Sequence, residues 1–483
     1  MTAAGSSIAP AAATAIGRVE GWGMAVGGEA RLLQPTSLAE IRAAIATVRS
    51  AGGKIALRGA GCSYGDAACG TGKWVIDLSR FGRIVSFDTA GGLLCCEAGA
   101  TIGDIWQRTL PQGWWPPVVS GTMAPTIGGA VAMNIHGKNA WRVGPIGDHV
   151  RRLDVLLVDG SARTLEPEDP LFAAVVGGFG ELAVITHVHL QLKRVHSGQL
   201  DVDARCGRSL AEVFAIFEAW QDKSDYIVGW IDGFASGPGL GRGLVHMAHQ
   251  LPAGADPDPV PGMQVAAQTL PPRLFGLIPK SWMWLLLWPF ANNLGWRLIN
   301  ALKFLSARFL EDGKRYRQGH AAFHFLLDYV PNWKWAYKPG GLIQHQIFVP
   351  RERALAVFAT AFALHQRFGL PTWLAVMKRH RPDRFLLSHG LDGYSLALDF
   401  PVTRANRAAL WQMCHEVDAL VTAAGGRFYF AKDATLEPAT VLQAWPAANL
   451  KQFAALRAEL DPDGVLATDL YDRAVAPALA TLA

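Results

Sequence analysis

Two glycine-dense stretches hold much of the side-chain chemistry in this chain of 483 residues. Arg58–Asp66 reads RGAGCSYGD, and Gly121–Asn139 reads GTMAPTIGGAVAMNIHGKN. Glycine lets the backbone take positive φ and lets a ligand approach the main chain closely. Successive bare N–H groups form a concave nest that suits an anion such as a pyrophosphate. The second stretch ends in His136-Gly137-Lys138-Asn139, which sets an imidazole, an ammonium and an amide beside that nest. One such stretch is as readily an ordinary turn. Two of them, about sixty residues apart and flanked by strand-like runs, point to a dinucleotide site.

Other chemistries are disfavoured by what the chain lacks. No G-x-S-x-G elbow offers a hydrolase nucleophile, and no G-x-x-x-x-G-K-[ST] loop supports phosphoryl transfer. His320 and His324 stand four apart as zinc ligands on a helix can, but no Glu lies between them and no third ligand is evident; His187 and His189 have no Cys or His pair nearby, so no metal is expected. The six cysteines (62, 69, 95, 96, 206 and 414) show neither a C-x-x-C pair nor zinc spacing and read as reduced thiols. A net charge of +5 without long basic runs argues against nucleic acid as a partner. Half of the residues are hydrophobic and 18% charged, the balance of a folded protein, and the length calls for two or three domains. The first fifteen residues read as a tail without the basic and apolar regions of a secretory signal, so cytoplasmic residence is expected.

The elements that must carry the two loops alternate short strands with few helices. Leu38–Arg49 has helical spacing after Pro35-Thr36-Ser37, and Lys54–Leu57 is a strand delivering the chain into the Arg58 loop. Trp74–Leu78, Arg83–Phe87 and Leu93–Ala98 read as strands, Thr101–Arg108 as a helix, and Val150–Val158 with Ala162–Leu165 as a hairpin through Asp159-Gly160. Gly178-Phe179-Gly180-Glu181-Leu182-Ala183 matches a Rossmann fingerprint in letters, but Val184–Leu192 after it alternates at period two, as a strand does where that fingerprint needs a helix. A classical nicotinamide fold is therefore disfavoured.

After about residue 197 the chain reads as the helix Leu210–Trp220, the strand Tyr226–Trp230 and a Gly/Pro-rich connection over Gly237–Asp258. Pro271–Phe309 is rich in tryptophan, but its longest uncharged stretch, Ser281–Trp296, has sixteen residues and is broken by Pro289. A membrane-crossing helix needs ~20 apolar residues. Trp282, Trp284, Trp288 and Trp296 flanked by Lys280, Arg297, Lys303 and Arg308 suit either a segment at a lipid surface or a buried helical lid or subunit contact. Gln344 and Gln346 alternate along the strand Gly341–Val349, a pattern of a pocket wall or a solvated face. Tyr394–Phe400 is a strand, Arg404–Ala423 a helix, Arg427–Ala431 a strand leading to Lys432, and Leu450–Leu460 the last helix.

What remains is flavin chemistry. A ring that accepts hydride becomes negative, so a lysine beside it lowers the barrier; Lys138 and Lys432 are the candidates. A substrate hydroxyl must also lose its proton, and His136, Tyr64 or Lys432 can accept it. RGAGCSYGD, GTMAPTIGGAVAMNIHGKN, VGGFGELAVIT and YFAKD, in that order, resemble the vanillyl-alcohol-oxidase-type flavoproteins, and within them the oxidases of polyprenylphosphoryl pentoses. The resemblance implies an α+β fold: a PCMH-type FAD-binding domain of two α+β subdomains, residues 1–196 completed by 427–483. A substrate domain of residues 197–426, built on an antiparallel sheet, would be inserted between them. It implies FAD contacts from Arg58, Gly59, Ala60, Gly61, Cys62, Ser63, Tyr64 and Gly65, and from Gly121, Thr122, Thr126, Gly128 and Gly129. Asn134, His136, Gly137, Gly180, Val184, Ile185 and Lys432 would complete that set, with Gln344, Gln346, Lys378 and Tyr337 facing the substrate.

The implied reaction is oxidation of a sugar 2′-hydroxyl to a ketone with hydride passing to FAD, and an NAD(P)H-dependent reductase as partner would complete an epimerisation. The implied substrate is lipid-linked, so peripheral contact with the inner face of a membrane is expected. Three departures stand out. Cys62 occupies the place of the flavin-linking His of covalent relatives, so FAD is expected to be non-covalent; Ala397 and Ala183 replace a cysteine and a glycine of the pattern. Soluble sugars, polyols or aldonolactones, sterol-type alkene reduction and a non-redox binding role remain the alternatives.

Overall fold

The computed structural model describes residues 16–274 and 277–482. The tail read over the first fifteen residues lies outside them.

Three sheets converge on one cavity. The first has strand order Ile16–Glu20, Gly27–Leu33, Trp74–Asp77, Ile55–Arg58, and its last three strands are parallel. The helix Leu38–Ser50 makes the crossover from Gly27–Leu33 to Ile55–Arg58, the two strands that flank Trp74–Asp77. Ser37 caps it by accepting from the Glu40 amide, and Ile41, Ala44, Ile45 and Val48 are its buried face. Ile55–Arg58 ends at the first glycine loop.

The second sheet is antiparallel, in the order Ile84–Phe87, Leu93–Glu97, Val184–Gln191, Val150–Leu156, Ala162–Leu165. Val184–Gln191 is thus a strand, as its alternation requires, and the Asp159-Gly160 hairpin forms with Gly160 at φ +86°. The helix Ile102–Thr109 starts in a capping box between Thr101 and Asp104.

The third sheet runs Arg315–Gly319, Gln199–Gly207, Gly243–Gln250, Tyr226–Ile231, Leu374–His380, Gly393–Pro401, Leu342–Pro350, Arg427–Phe428, antiparallel throughout. The helices Leu210–Trp220, Arg351–Arg367 and Arg407–Ala423 pack on it and on each other. Register aligns three rows across the sheet: Gln344 with Asp399 and Leu374, Gln346 with Ala397 and Val376, Phe348 with Ser395 and Lys378. Gln344 and Gln346 are buried, so the pocket-wall reading of that strand holds and the solvated-face reading does not.

Several sequence expectations are corrected here. The connection expected over Gly237–Asp258 contains Gly243–Gln250, an interior strand whose flanking glycines and prolines masked its alternation. Arg427–Ala431 is a strand only over Arg427–Phe428, after which Phe430–Lys432 tightens into a 3₁₀ turn. Ala447–Leu460 is not the last helix; the chain continues into Ala476–Ala480. That tail pairs with the first sheet, Ile55 donating to the Val465 carbonyl and Ala467 to the Ile55 carbonyl.

Candidate active site

The two glycine loops touch. A β-carbon on Gly59 would stand 2.1 Å from Thr126 Oγ1, and Gly61 takes φ +65° with the Arg58 guanidinium folded beneath it. That guanidinium donates to the Glu20 and Ala68 carbonyls at 3.1 Å, so it staples the loop from below. The main-chain amides of Ala60, Gly61, Cys62 and Ser63 meet no acceptor among the described residues. On the second loop much of the backbone is engaged: Ile127 and Gly128 donate to the Ala100 and Ala98 carbonyls, and Gly129 to Thr126 Oγ1. Asp328 accepts from Thr122 Oγ1 at 2.7 Å and from the Met123 amide at 2.9 Å, latching the turn Leu326–Tyr329 onto this loop. The nest with open donors is therefore the first loop.

Imidazoles and ammonium groups gather beyond the loops. The Tyr64 amide donates to the Ala431 carbonyl at 2.8 Å, which brings Lys432 over the Tyr64 ring with Nζ 3.6 Å from its centre. The Gln346 amide group donates to His136 Nε2 at 2.9 Å; His136 Nδ1 is buried and without partner among the described residues. His136 stacks edge-on to His380 and His389, and burial, with Lys378 second, holds its pKa well below the ordinary value. Lys138 donates to the Phe323 carbonyl, and burial, helped by Lys378, pushes its pKa far down. Burial lowers Lys378 to about 8. Lys432 is lowered by burial and by Lys378 against the opposing pull of Asp399, whose own pKa burial raises. Asp399 accepts from the Gln344 amide group through Oδ1, and its Oδ2 has no partner among the described residues. Lys378 and Lys432 are the groups that can bring positive charge to this end of the cavity, whereas Lys138, its pKa pushed far down, adds a donor without charge.

Most of the residues named from sequence meet in one cavity lining: Arg58, Gly59, Ala60, Gly61, Cys62, Ser63, Tyr64, Gly121, Thr122, Thr126, Gly128, Gly129, His136, Lys138, Gly180, Ile185, Gln344, Gln346, Lys378 and Lys432. Five lie outside that lining. Gly65 packs on the Asp433 carbonyl, where a β-carbon would come within 1.4 Å. Asn134 is fully buried, donating to Ser388 Oγ and accepting from the Gly147 amide. Gly137 is closed off by Asn139 Oδ1, and Val184 belongs to the core with Leu156 and Val158. Tyr337 is packed among Trp333, Trp373 and Trp296. Tyr64 stays in the lining, but burial raises its phenol pKa well above the ordinary value, which makes it a poor proton acceptor.

Sequence reasoning did not single out Asp399 as a site residue, nor His380, His389 or Tyr429. Asp399 was visible only as the end of a strand; its register opposite Gln344 is the signal that finds it. Among the described residues no group of three or more His, Cys, Asp or Glu is arranged to hold a metal ion. His320 and His324 stack beside Trp115 in the interior, and burial depresses both.

Free loop amides at one end and a cationic, imidazole-lined end at the other fit a flavin dinucleotide. The class this fold and site define is the PCMH-type FAD-binding flavoproteins. Residues 30–166 match the family model described as an FAD binding domain, and residues 347–474 match that of D-arabinono-1,4-lactone oxidase. The decaprenylphosphoryl-β-D-ribose oxidase of Mycolicibacterium smegmatis is 30% identical over 94% of this chain and 97% of its own. The L-gulono-1,4-lactone dehydrogenase of Mycobacterium tuberculosis is 24% identical over 92% of this chain and 96% of its own. The chain belongs to the decaprenylphosphoryl-β-D-ribose oxidase-like flavoproteins of the FAD-binding oxidase superfamily. It is an FAD-dependent oxidoreductase acting on CH–OH groups. When bound, FAD supplies the two-electron acceptor.

Proposed function

We propose that the protein oxidises the 2′-hydroxyl of a polyprenylphosphoryl pentose, with residues 1–196 and 427–483 holding FAD and residues 197–426 the sugar. The observation that carries this reading is the pairing of Gln346 with His136 in a wall that also presents Gln344, Lys378 and Lys432. Side-chain amides can bond sugar hydroxyls, and lysines suit a phosphate linkage. Lys432 provides positive charge where the reaction generates negative charge. His136, held neutral and accepting from the Gln346 amide group, orients that glutamine toward the substrate; Lys138, tied to the Phe323 carbonyl, orients the neighbouring wall. Cys62 leaves FAD non-covalent. The strand Arg427–Phe428 sits on the edge of the large sheet, which supports a return of the chain to the FAD-holding part at about that point.

The extended likeness to an L-gulono-1,4-lactone dehydrogenase favours an aldonolactone as the second reading. Anaerobic flavin bleaching separates the two. Bleaching by the lipid-linked pentose at a rate well above that with aldonolactones or free pentose is the expected result; faster bleaching by a lactone would replace the first reading with the second. A reductase that returns the keto sugar to an alcohol of opposite configuration would be the functional partner.

A further inference from the structure

From Leu277 to Leu310 the chain turns apolar side chains outward. Trp282 is 61% exposed, Leu294 78% and Phe309 76%. Along the helix Asn293–Leu310, the residues Leu294, Leu298, Leu302, Leu305 and Phe309 recur every three or four positions and are all exposed. Gly295, Asn300, Phe304 and Ala307 form the opposite, buried face. A surface helix ordinarily buries its apolar stripe and wets the rest; this one has a second apolar stripe on the outside. Trp282, Leu285, Leu286, Trp288 and Phe290 extend the patch, and a contiguous exposed patch marks an interaction surface.

Charge selects the partner. Residues 271–310 carry Arg273, Lys280, Arg297, Lys303 and Arg308 and not one Asp or Glu. A second copy would bring the same cations face to face, whereas an anionic lipid surface complements them, and indoles prefer the headgroup level. We infer that residues 277–310 dock the protein on an anionic lipid surface, with the helix Asn293–Leu310 lying in the plane of the interface. Among the described residues no helix is long and apolar enough to cross a membrane. Leu287, Ala291 and Trp296 pack against the cluster of Tyr64, Tyr337 and Trp373 with Trp22, and both Tyr64 and Trp22 line the cavity. The docking face is thus one layer of side chains from the site, whatever alcohol is oxidised there.

The test uses the FAD-loaded full chain and sedimentation with vesicles of phosphatidylglycerol and phosphatidylcholine, against phosphatidylcholine alone. The protein is expected to sediment with the anionic vesicles, at least about tenfold more weakly with the neutral ones, and less as salt is raised. Leu298→Glu/Leu302→Glu/Leu305→Glu should cut partition by about 100-fold while flavin content and thermal midpoint stay unchanged. Should that variant lose its flavin, Arg297→Gln/Arg308→Gln serves instead, with a loss of about 30-fold on anionic vesicles and a flatter salt dependence. Parent protein remaining in the supernatant, or the variants sedimenting as the parent does, overturns the inference. So does a parent dimer in vesicle-free size exclusion that the leucine variant converts to monomer, which would assign the face to a second copy.

Discussion

Lys432 is pulled two ways: burial and Lys378 favour its neutral form, and Asp399 favours the cation. Its pKa is brought down to about 7, so the positive charge it offers is lost as pH rises through neutrality. Replacing Asp399 by Asn removes the one contribution from that acid that holds the ammonium up. The alkaline limb of the pH profile of flavin reduction should then move to lower pH, by about one unit. A limb that stays where it was would assign the titration to another group. Lys432→Ala should slow flavin reduction by about 10²-fold while leaving flavin content nearly intact, because the lost interaction is with developing charge and the loop amides remain. Equal loss of both in stopped-flow and absorbance measurements would make Lys432 a cofactor anchor instead. Cys62 supplies a third check. Its thiol is pushed up to about 11 by burial, so it is neutral, and acid precipitation should release FAD into the supernatant and leave a colourless pellet.

At the scale of elements, the glycines act through packing as much as through the ligand. Gly128 lines the cavity, yet a β-carbon there would meet Ala98 Cβ at 2.7 Å and the Ala98 carbonyl at 3.0 Å, both on the chain leaving Leu93–Glu97. Gly128→Val should therefore lower the thermal midpoint of the apoprotein as well as FAD retention. A variant with an unchanged apoprotein midpoint would restrict the glycine's role to the ligand. Both loops and the chemistry-bearing ends of Gly121–Asn139 and Tyr429–Asp433 were legible in the sequence, because glycine density and charged residues are local signals. So was the rejection of the Rossmann reading, since Val184–Gln191 alternates plainly. What escaped depended on partners distant in sequence. Gly243–Gln250 is buried by neighbours on both edges, and a Gly/Pro-rich setting hid it. Tyr337, Gly137 and Asn134 belong to site motifs, but their side chains or α-carbons turn into packing, and only the fold shows which way they face.

The whole molecule carries an unusual load of buried neutral imidazoles. Seven of its fourteen histidines are depressed by burial: His136, His324 and His380 far below the ordinary value, His149 and His320 to about 4, His365 and His389 to about 3. Each of these groups takes up a proton in the unfolded chain near pH 6.5 but not in the folded one until its depressed pKa is reached. Stability is fully present above pH 6.5 and is lost as pH falls below it. Seven carboxylates work in the opposite sense: burial raises Asp383 to about 6 and Asp399 to about 7, and lifts Asp66, Asp148, Glu181, Asp328 and Asp418 above the ordinary value, so that they bind protons in the folded state before the unfolded state does. The histidines start from an ordinary value near 6.5 and the carboxylates from one near 4, so near pH 5.5 the balance favours protons on the unfolded chain; each net proton contributes a slope of about 1.4 kcal/mol per pH unit, and a few of them several. Several kcal/mol per pH unit is a large part of a domain's stability. The FAD-loaded protein should thus lose thermal midpoint steeply between pH 6.5 and 5, and potentiometry on unfolding at pH 5.5 should record a net uptake of protons. The cause lies in where the imidazoles are: His136, His380 and His389 form one cluster behind the cavity, and His320 and His324 another around Trp115. A midpoint flat across that range, or protons released on unfolding, would mean that water reaches these clusters and that the interior is not the apolar setting their burial implies.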